Sequence, residues 1–515
     1  MASVAILERA AALTSDGARR SDLLLRAAEQ ACELGRTATA TRLVARTELE
    51  PLGPVQRGRL LAIRDLVDPG ELLDPGRIEA LVVAAEDVAA LDTDLALTLL
   101  RRAASRCWWC GAPPQLRLPV AAAAERLAPR DDVRVLAILA YADPIARGSD
   151  VLDRMAALTS DGAEAFRSHG SAALILGDFP ASSLHWRRAT ELYRERGTLG
   201  LLSRLLISGA FARCWAGEWK AVAADVEEGR ALAAETGERF WRAAADATLA
   251  KLLAMRGDHE AAEALATRVL GNPLARGVRF VLFTAQQARS FAAMSAGRDE
   301  ESYLLLRRVF DPADPLFHRD MRFWVLGDLA EAAVRAGYAD EARQLVGALT
   351  PAALRTRSPR TRLGLAFAEA LLADDEARFQ ALLESELDGW PFDRARIQLA
   401  YGAWLRRHRH YVASRAPLRE AAAGFDALGA RSYAGRARAE LAASGEQRRA
   451  REPEARDALT PQELQIATLA ARGMTNRQIG QSLYLSHRTV SSHLYRIFPK
   501  LDVSSRGQLG VALGL

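Results

Sequence analysis

Glycines recur at Gly177, Gly217, Gly257, Gly297 and Gly337, a period of forty residues held five times. Each closes an apolar helical run and opens another, in "GDFPASS", "GEWKAVA", "GDHEAAE", "GRDEESY" and "GYADEAR". Seven positions before each stands a small residue: Gly170, Ala210, Ala250, Ser290 and Ala330. Five positions after comes another, mostly small: Ser182, Val222, Ala262, Ser302 and Ala342. A second glycine follows twenty residues on in three repeats, at Gly197, Gly237 and Gly277. This register predicts a helical hairpin repeated in tandem. Glycine ends the first helix in the left-handed conformation that costs other residues energy. The small residues let the paired helices approach, and each hairpin buries its apolar stripe on its neighbours.

The ruler extends unevenly. Ala28, Gly35 and Ala40 repeat the offsets near the start, and "AALTSDGA" occurs at both 11–18 and 156–163. After Gly337 the spacing decays, although "LLADDEARFQALLE" and "RRHRHYVASRAPLREAAAGF" still read as second helices of hairpins. The order of small residue, turn glycine and small residue resembles the tetratricopeptide pattern, stretched by longer connections. An apolar half with only 6% aromatics suits helices and leaves little for a β-rich core. The expected fold class is all-α: a tetratricopeptide-like α-solenoid over 1–444, clearest at about 163–350. A charged linker at 445–458, containing Pro453, would join it to a small four-helix helix-turn-helix domain at 459–515.

The start, "MASVAILERAAALTS", lacks a basic region followed by an apolar one, and no stretch of about eighteen apolar residues occurs. Four cysteines, Cys32, Cys107, Cys110 and Cys214, are too few to staple a chain this long. A cytoplasmic chain with no membrane partner is the expectation. The only lysines, Lys220, Lys251 and Lys500, follow Trp219, Ala250 and Pro499. No G-x-x-x-x-G-K-[ST] phosphate-binding loop can therefore exist in this sequence. "CWWC" (Cys107 to Cys110) has the spacing of a redox pair or half a zinc site, but neither a strand nor a further ligand pattern accompanies it. Packing at a helix end is expected there, with no cofactor, no metal and no enzyme activity. "RRHRH" (Arg406 to His410) reads as a solvated basic helix face. Phe211, Trp215, Phe240, Trp241, Phe323 and Trp324 read as core, and the contents of any concave groove stay open.

The net charge is +5, and the tail holds most of the excess: Arg472, Arg477, Arg488, Arg496, Lys500 and Arg506 against Glu463 and Asp502. "TPQE", "TNRQ" and "SRGQ" each have a capping Ser/Thr with Glu/Gln three residues on, and Ser486 is a further cap. These signals predict helices at about 461–472, 475–483, 487–498 and 505–513, with only "YLS" between the second and third. In the third, Val490, Leu494 and Ile497 form a core stripe. The expected partners are Leu464, Ala467, Ile479, Leu483, Leu485, Leu501, Val503 and Leu509. Arg488, Ser491, Ser492 and Tyr495 form a second stripe, and Thr489, His493, Arg496 and Lys500 a largely basic third. That division suits a helix in a DNA major groove, with short polar side chains near base edges and cations on phosphates. A solvated polar face on a small helical cap is the rival.

Residues 459–513 resemble the C-terminal DNA-binding domain of LuxR-type transcriptional regulators, through "LTPQE", "LAARGMTNRQIG", "LYLSHRTVSSHLYRI" and "KLDVSSR". The resemblance implies that Ser491, Ser492 and Tyr495 face bases, and that Thr475, Asn476, Arg477, Arg488, Thr489, Arg496 and Lys500 lie at or near phosphates. It also implies that the fourth helix, around Gln508 and Leu509, pairs two copies on double-stranded DNA. Ser491 stands where many members carry lysine, Asp502 where a turn glycine is usual, and Pro499 must end or kink the third helix. Repeats joined to such a tail resemble the C-terminal part of the large ATP-binding (MalT-like) LuxR-type regulators, without their ATPase domain. The expectation is a bacterial transcription regulator whose array senses an effector or docks a protein. The alternatives are a repeat scaffold whose tail no longer binds DNA, a sigma-factor-like promoter reader, and, last, an oxidoreductase using Cys107 and Cys110.

Overall fold

The structure, a computed structural model, describes residues 2–67, 74–159, 161–446, 459–501, 503 and 505–513. Two compact units divide at Ser444, Met1–Ser444 and Gly445–Leu515. Every regular element among the described residues is helical. The charged segment expected as a linker falls mostly at 447–458, outside those residues, as does Asp502.

The first unit is a run of antiparallel helical hairpins, and the periodic glycines sit at their turns. Helices Ala163–Ile175 and Phe179–Glu195 flank Gly177, and Arg239–Arg256 and His259–Leu270 flank Gly257. All five glycines, with Gly197, Gly237 and Gly277, have φ between 69° and 92°, the left-handed region where other residues are strained. The small positions meet across each hairpin. Ser182 Oγ donates to the Gly170 carbonyl at 2.9 Å, and the Ser290 and Ser302 hydroxyls lie 2.8 Å apart. A Cβ added to Gly170 would press within 3.1 Å of the Trp186 ring, so bulk there would push the two helices apart.

Beyond Gly337 the turns inside the next two hairpins are not marked by glycine, although Gly429 still ends helix Tyr411–Leu428 in the left-handed conformation. Asp374 and Arg409 take up the left-handed conformation at φ 55° and 65°, and Gly445 resumes it at 77°. The spacing shortens to between 35 and 37 residues, which is why the ruler fades in the sequence.

The hairpins also wind onto one another. Thr37 Oγ1 donates to the Thr236 carbonyl, 199 residues away, and His318 Nε2 lies 2.9 Å from the Trp108 carbonyl, 210 away. Arg117 pairs with Asp320 at 2.8 Å, and Arg431 pairs with Asp258, 173 residues apart. At forty residues a repeat, these contacts join hairpins four to five repeats apart. Turn glycines lie at these contacts. A Cβ on Gly217 would come within 2.4 Å of Pro391 Cγ, and one on Gly257 within 2.3 Å of Ser432 Oγ.

The interior of the array is apolar with a polar seam. Arg396, wholly buried, donates to Asp328 and Glu331 at 2.7 Å each, and Arg360 pairs with Asp393 at 2.8 Å. Lys251 is also wholly buried, with its ammonium 3.3 Å from the Trp215 ring centroid and no hydrogen-bond partner. Phe211, Trp215, Phe323 and Trp324 are core, as expected. Phe240 and Trp241 depart from that expectation: they are only half-buried and line a cavity. Cys107 and Cys110 are buried at the end of helix Thr93–Trp109, where Cys110 Sγ bonds to the Arg106 carbonyl at 2.9 Å. Burial pushes both thiols up, to about 12 and about 11. Burial thus keeps both thiols protonated near neutral pH. His408 stacks on Trp404 and Arg406 pairs with Glu440, so "RRHRH" closes a helix end.

Candidate nucleic-acid interface

The tail folds as its capping signals dictate. Thr460, Thr475 and Ser505 each form a capping box, and Ser486 Oγ accepts from the Thr489 backbone N–H at 3.0 Å. The helices run Pro461–Ala471, Asn476–Leu483 and His487–Lys500, followed by a short turn Arg506–Gln508 leading into Leu509–Ala512. Ile466, Ala467, Ala470, Ile479, Val490, Leu494, Ile497, Leu501 and Leu509 form one core, with Leu464, Leu483, Leu485 and Val503 against it.

The turn between the second and third helices depends on two residues that pattern reading did not single out. Tyr484 ends the second helix at φ 56°, a conformation uncommon outside glycine, with its ring almost fully exposed. Gly480 lets the chain fold back: a Cβ there would lie 2.5 Å from the Leu485 carbonyl oxygen. The only sequence signal was a glycine inside an otherwise helical "TNRQIGQSL".

On the third helix, Val490 and Ile497 are fully buried and Leu494 nearly so, while Arg488, Ser491, Ser492 and Tyr495 are exposed. These four, at i, i+3, i+4 and i+7, share one open face. Tyr495 is 81% exposed, so its ring and hydroxyl are open to a partner. Arg496 is exposed, with Nε on the Ser492 carbonyl at 3.3 Å, and Arg477 is exposed at the start of the second helix. Thr475 and Thr489 are held by cap bonds, and Thr489 Oγ1 lies 2.7 Å from Ser486 Oγ. Asn476 accepts at Oδ1 from Arg506 at 2.7 Å, so Arg506 ties the fourth helix to the start of the second. Sequence reading counted Arg506 only as charge.

Two expected contacts are placed differently. Lys500 binds both carboxylate oxygens of Glu463, at 2.8 and 2.7 Å, rather than standing free. That bond, with the Thr460 backbone N–H, holds the Glu463 carboxyl down at about 2. Helix Ser486-capped His487–Lys500 runs through Pro499 and ends one residue later, so Lys500 stays in its last turn. Leu509 is wholly buried in the tail's own core, which removes it from any surface that pairs two copies.

Residues 457–512 match the family described as bacterial regulatory proteins, luxR family. The transcriptional regulatory protein LiaR of Bacillus subtilis (strain 168) is 46% identical over 55 residues, 11% of this chain and 26% of its own length. The transcriptional regulatory protein DegU of Brevibacillus brevis is 40% identical over 50 residues, 10% of this chain and 21% of its own. The chain thus spans about a quarter of the length of these relatives. A solved Rap protein complexed with Competence and Sporulation Factor aligns with 72% of this chain and 98% of its own, at 12% identity and a TM-score of 0.41. No helix among the described residues is long and apolar enough to cross a membrane. The match in the tail, on the same helices that carry the capping boxes and the open polar face, makes residues 457–512 a luxR-family helix-turn-helix domain.

Proposed function

We propose that this chain is a sequence-specific DNA-binding transcription regulator whose helical array acts as an effector-sensing or protein-docking module. One observation carries the reading: a luxR-family third helix with a packed apolar stripe and, opposite it, an exposed stripe of Arg488, Ser491, Ser492 and Tyr495. Ser491, Ser492 and Tyr495 face base edges, where short hydroxyls and a phenol donate and accept. Arg477, Arg488 and Arg496 engage phosphates, with Thr475, Asn476 and Thr489 near them and Lys500 at the margin, once it leaves Glu463. Few cations serve each copy, so two copies bind together on a two-fold site.

Affinity of the full chain for genomic fragments, measured against salt concentration, tests this. Phosphate contacts release counterions, so the affinity falls steeply as salt rises. Arg477→Ala weakens all sequences alike and lowers the salt slope by about one. Tyr495→Ala instead changes the preference between sites. A flat salt response with no enriched fragment would leave a repeat scaffold without DNA binding.

A further inference from the structure

The array encloses a cavity of about 530 Å3, in the range of small-molecule sites. It lies where the N-terminal hairpin meets helices Thr93–Trp109, Leu199–Trp215 and Arg239–Arg256. Seven arginines line it against two carboxylates, Asp65 and Glu238. Both carboxylates are already engaged: Asp65 with Arg102 and Arg106, Glu238 with Arg204 and the Ser203 hydroxyl. Arg167 is held by Glu164. Among the described residues no carboxylate pairs with Arg101, Arg239 or Arg276. Arg101 is the half-buried one, while Arg239 and Arg276 are exposed.

Elsewhere in the array, half-buried Arg319, Arg322 and Arg436 also lack a carboxylate partner among the described residues, but they do not gather around one cavity. Arg117, Arg360 and Arg396 are buried and each meets a carboxylate. An unpaired cation in a partly dry site is destabilising, so seven arginines gathered against two engaged carboxylates are a local surplus that packing alone does not require. Burial and the nearby Arg167 charge push the Arg101 guanidinium down to about 9, which still leaves it charged at neutral pH. Two further donors lack acceptors: the indole N–H of Trp186, itself 5% exposed, and the Nε–H of Arg102. The same cavity carries a half-buried aromatic trio. Trp109 lies 5.1 Å from Phe240 and 5.3 Å from Trp241 between ring centroids, and Phe240 and Trp241 lie 5.1 Å apart.

We propose that this cavity binds a small organic anion, a phosphate or carboxylate joined to a flat apolar group. The acidic end sits on Arg101 and its unsatisfied neighbours, and the flat end sits against Trp109, Phe240 and Trp241. Arginine forks suit both kinds of oxyanion. The proposal deepens the reading of the array as an effector sensor, and rests on that reading only for its effect on DNA binding.

Calorimetry on the full chain with 1-naphthyl phosphate, 1-naphthoate and uncharged 1-naphthol tests it, and the first two distinguish phosphate from carboxylate. At least one anion binds saturably, with naphthol about tenfold weaker or more. Arg101→Gln weakens the anion about tenfold, and the exposed Arg239→Gln about threefold, while the distant Arg378→Gln leaves it unchanged. Arg101→Gln also raises the Tm of the ligand-free chain, whereas a structural arginine would lower it. No saturable anion binding, or equal affinity in Arg101→Gln and Arg239→Gln, overturns the site. An anion that binds without changing DNA affinity keeps the site and overturns the sensor reading. Absence of DNA binding both with and without the anion overturns the regulator reading without touching the site.

Discussion

The array and the tail are both helical, yet they place charge in opposite ways. In the array, Arg396, Arg360, Asp328, Glu331 and Asp393 are buried and pair with one another. In the tail, the core is apolar, and Arg477, Arg488 and Arg496 stand exposed. Among its described residues the one buried carboxylate, Glu463, is matched by a lysine that remains partly open. The array thus uses charge to fix which hairpins meet. The tail keeps its charge available to something outside the molecule. A helix can serve either purpose, and only the environment of its polar face tells them apart.

Four substitutions probe that contrast. Arg396→Leu takes the shared cation from three carboxylates in the array core and lowers stability by about 3–5 kcal/mol, whereas Arg488→Leu in the tail changes it by less than about 0.5 kcal/mol. Similar losses from the two, measured by thermal unfolding, would break the distinction. Gly217→Ala meets Pro391 and loses about 2–3 kcal/mol, but Gly337→Ala, with open space around it, loses only about 1 kcal/mol for its left-handed backbone. Equal losses would mean that the contact between distant hairpins contributes nothing.

Lys251 allows a pH test inside the array. Burial depresses its ammonium from 10.5 to about 7, so above pH 7 the unfolded chain binds the proton and the folded one does not. Stability therefore rises with pH from about 7 towards 10.5, and the full penalty applies below 7. Lys251→Met raises Tm by about 2 °C or more below pH 7, and the gain shrinks as pH increases. A gain independent of pH would place the effect in packing rather than charge. The smallest effect is expected in the tail: Lys500→Met loses no more than about 1 kcal/mol, because the pair is partly open to water. Glu463 has the opposite sign to Lys251. Its depressed carboxyl contributes stability above pH 4.5 that is lost as pH falls towards 2.

How much of this was legible followed from how local each signal is. The caps at Thr460, Thr475, Ser486 and Ser505 act within three residues, and the sequence displays them directly. The hairpin period was legible wherever glycine supplied the left-handed turn. It vanished at Asp374 and Arg409, because nothing in those residue types announces that conformation. The bond between Lys500 and Glu463 spans 37 residues and three helices, so no spacing rule could reach it. Phe240 and Trp241 looked like core because periodicity reports which face is apolar, not whether that face is covered. The cavity arginines were hidden for the same reason: Arg101, Arg167 and Arg204 come from three separate hairpins.

The contacts that stitch hairpins 173 to 210 residues apart also change how the array can carry load. A solenoid whose repeats touch only their sequence neighbours stretches like an open spring, one interface yielding after another. This coil is wound shut between Thr37 and Thr236, Trp108 and His318, and Asp258 and Arg431. Extending it requires breaking contacts between distant hairpins as well as those between sequence neighbours. The N-terminal hairpin therefore touches the helix that ends at Glu235 directly, and not only through the repeats between.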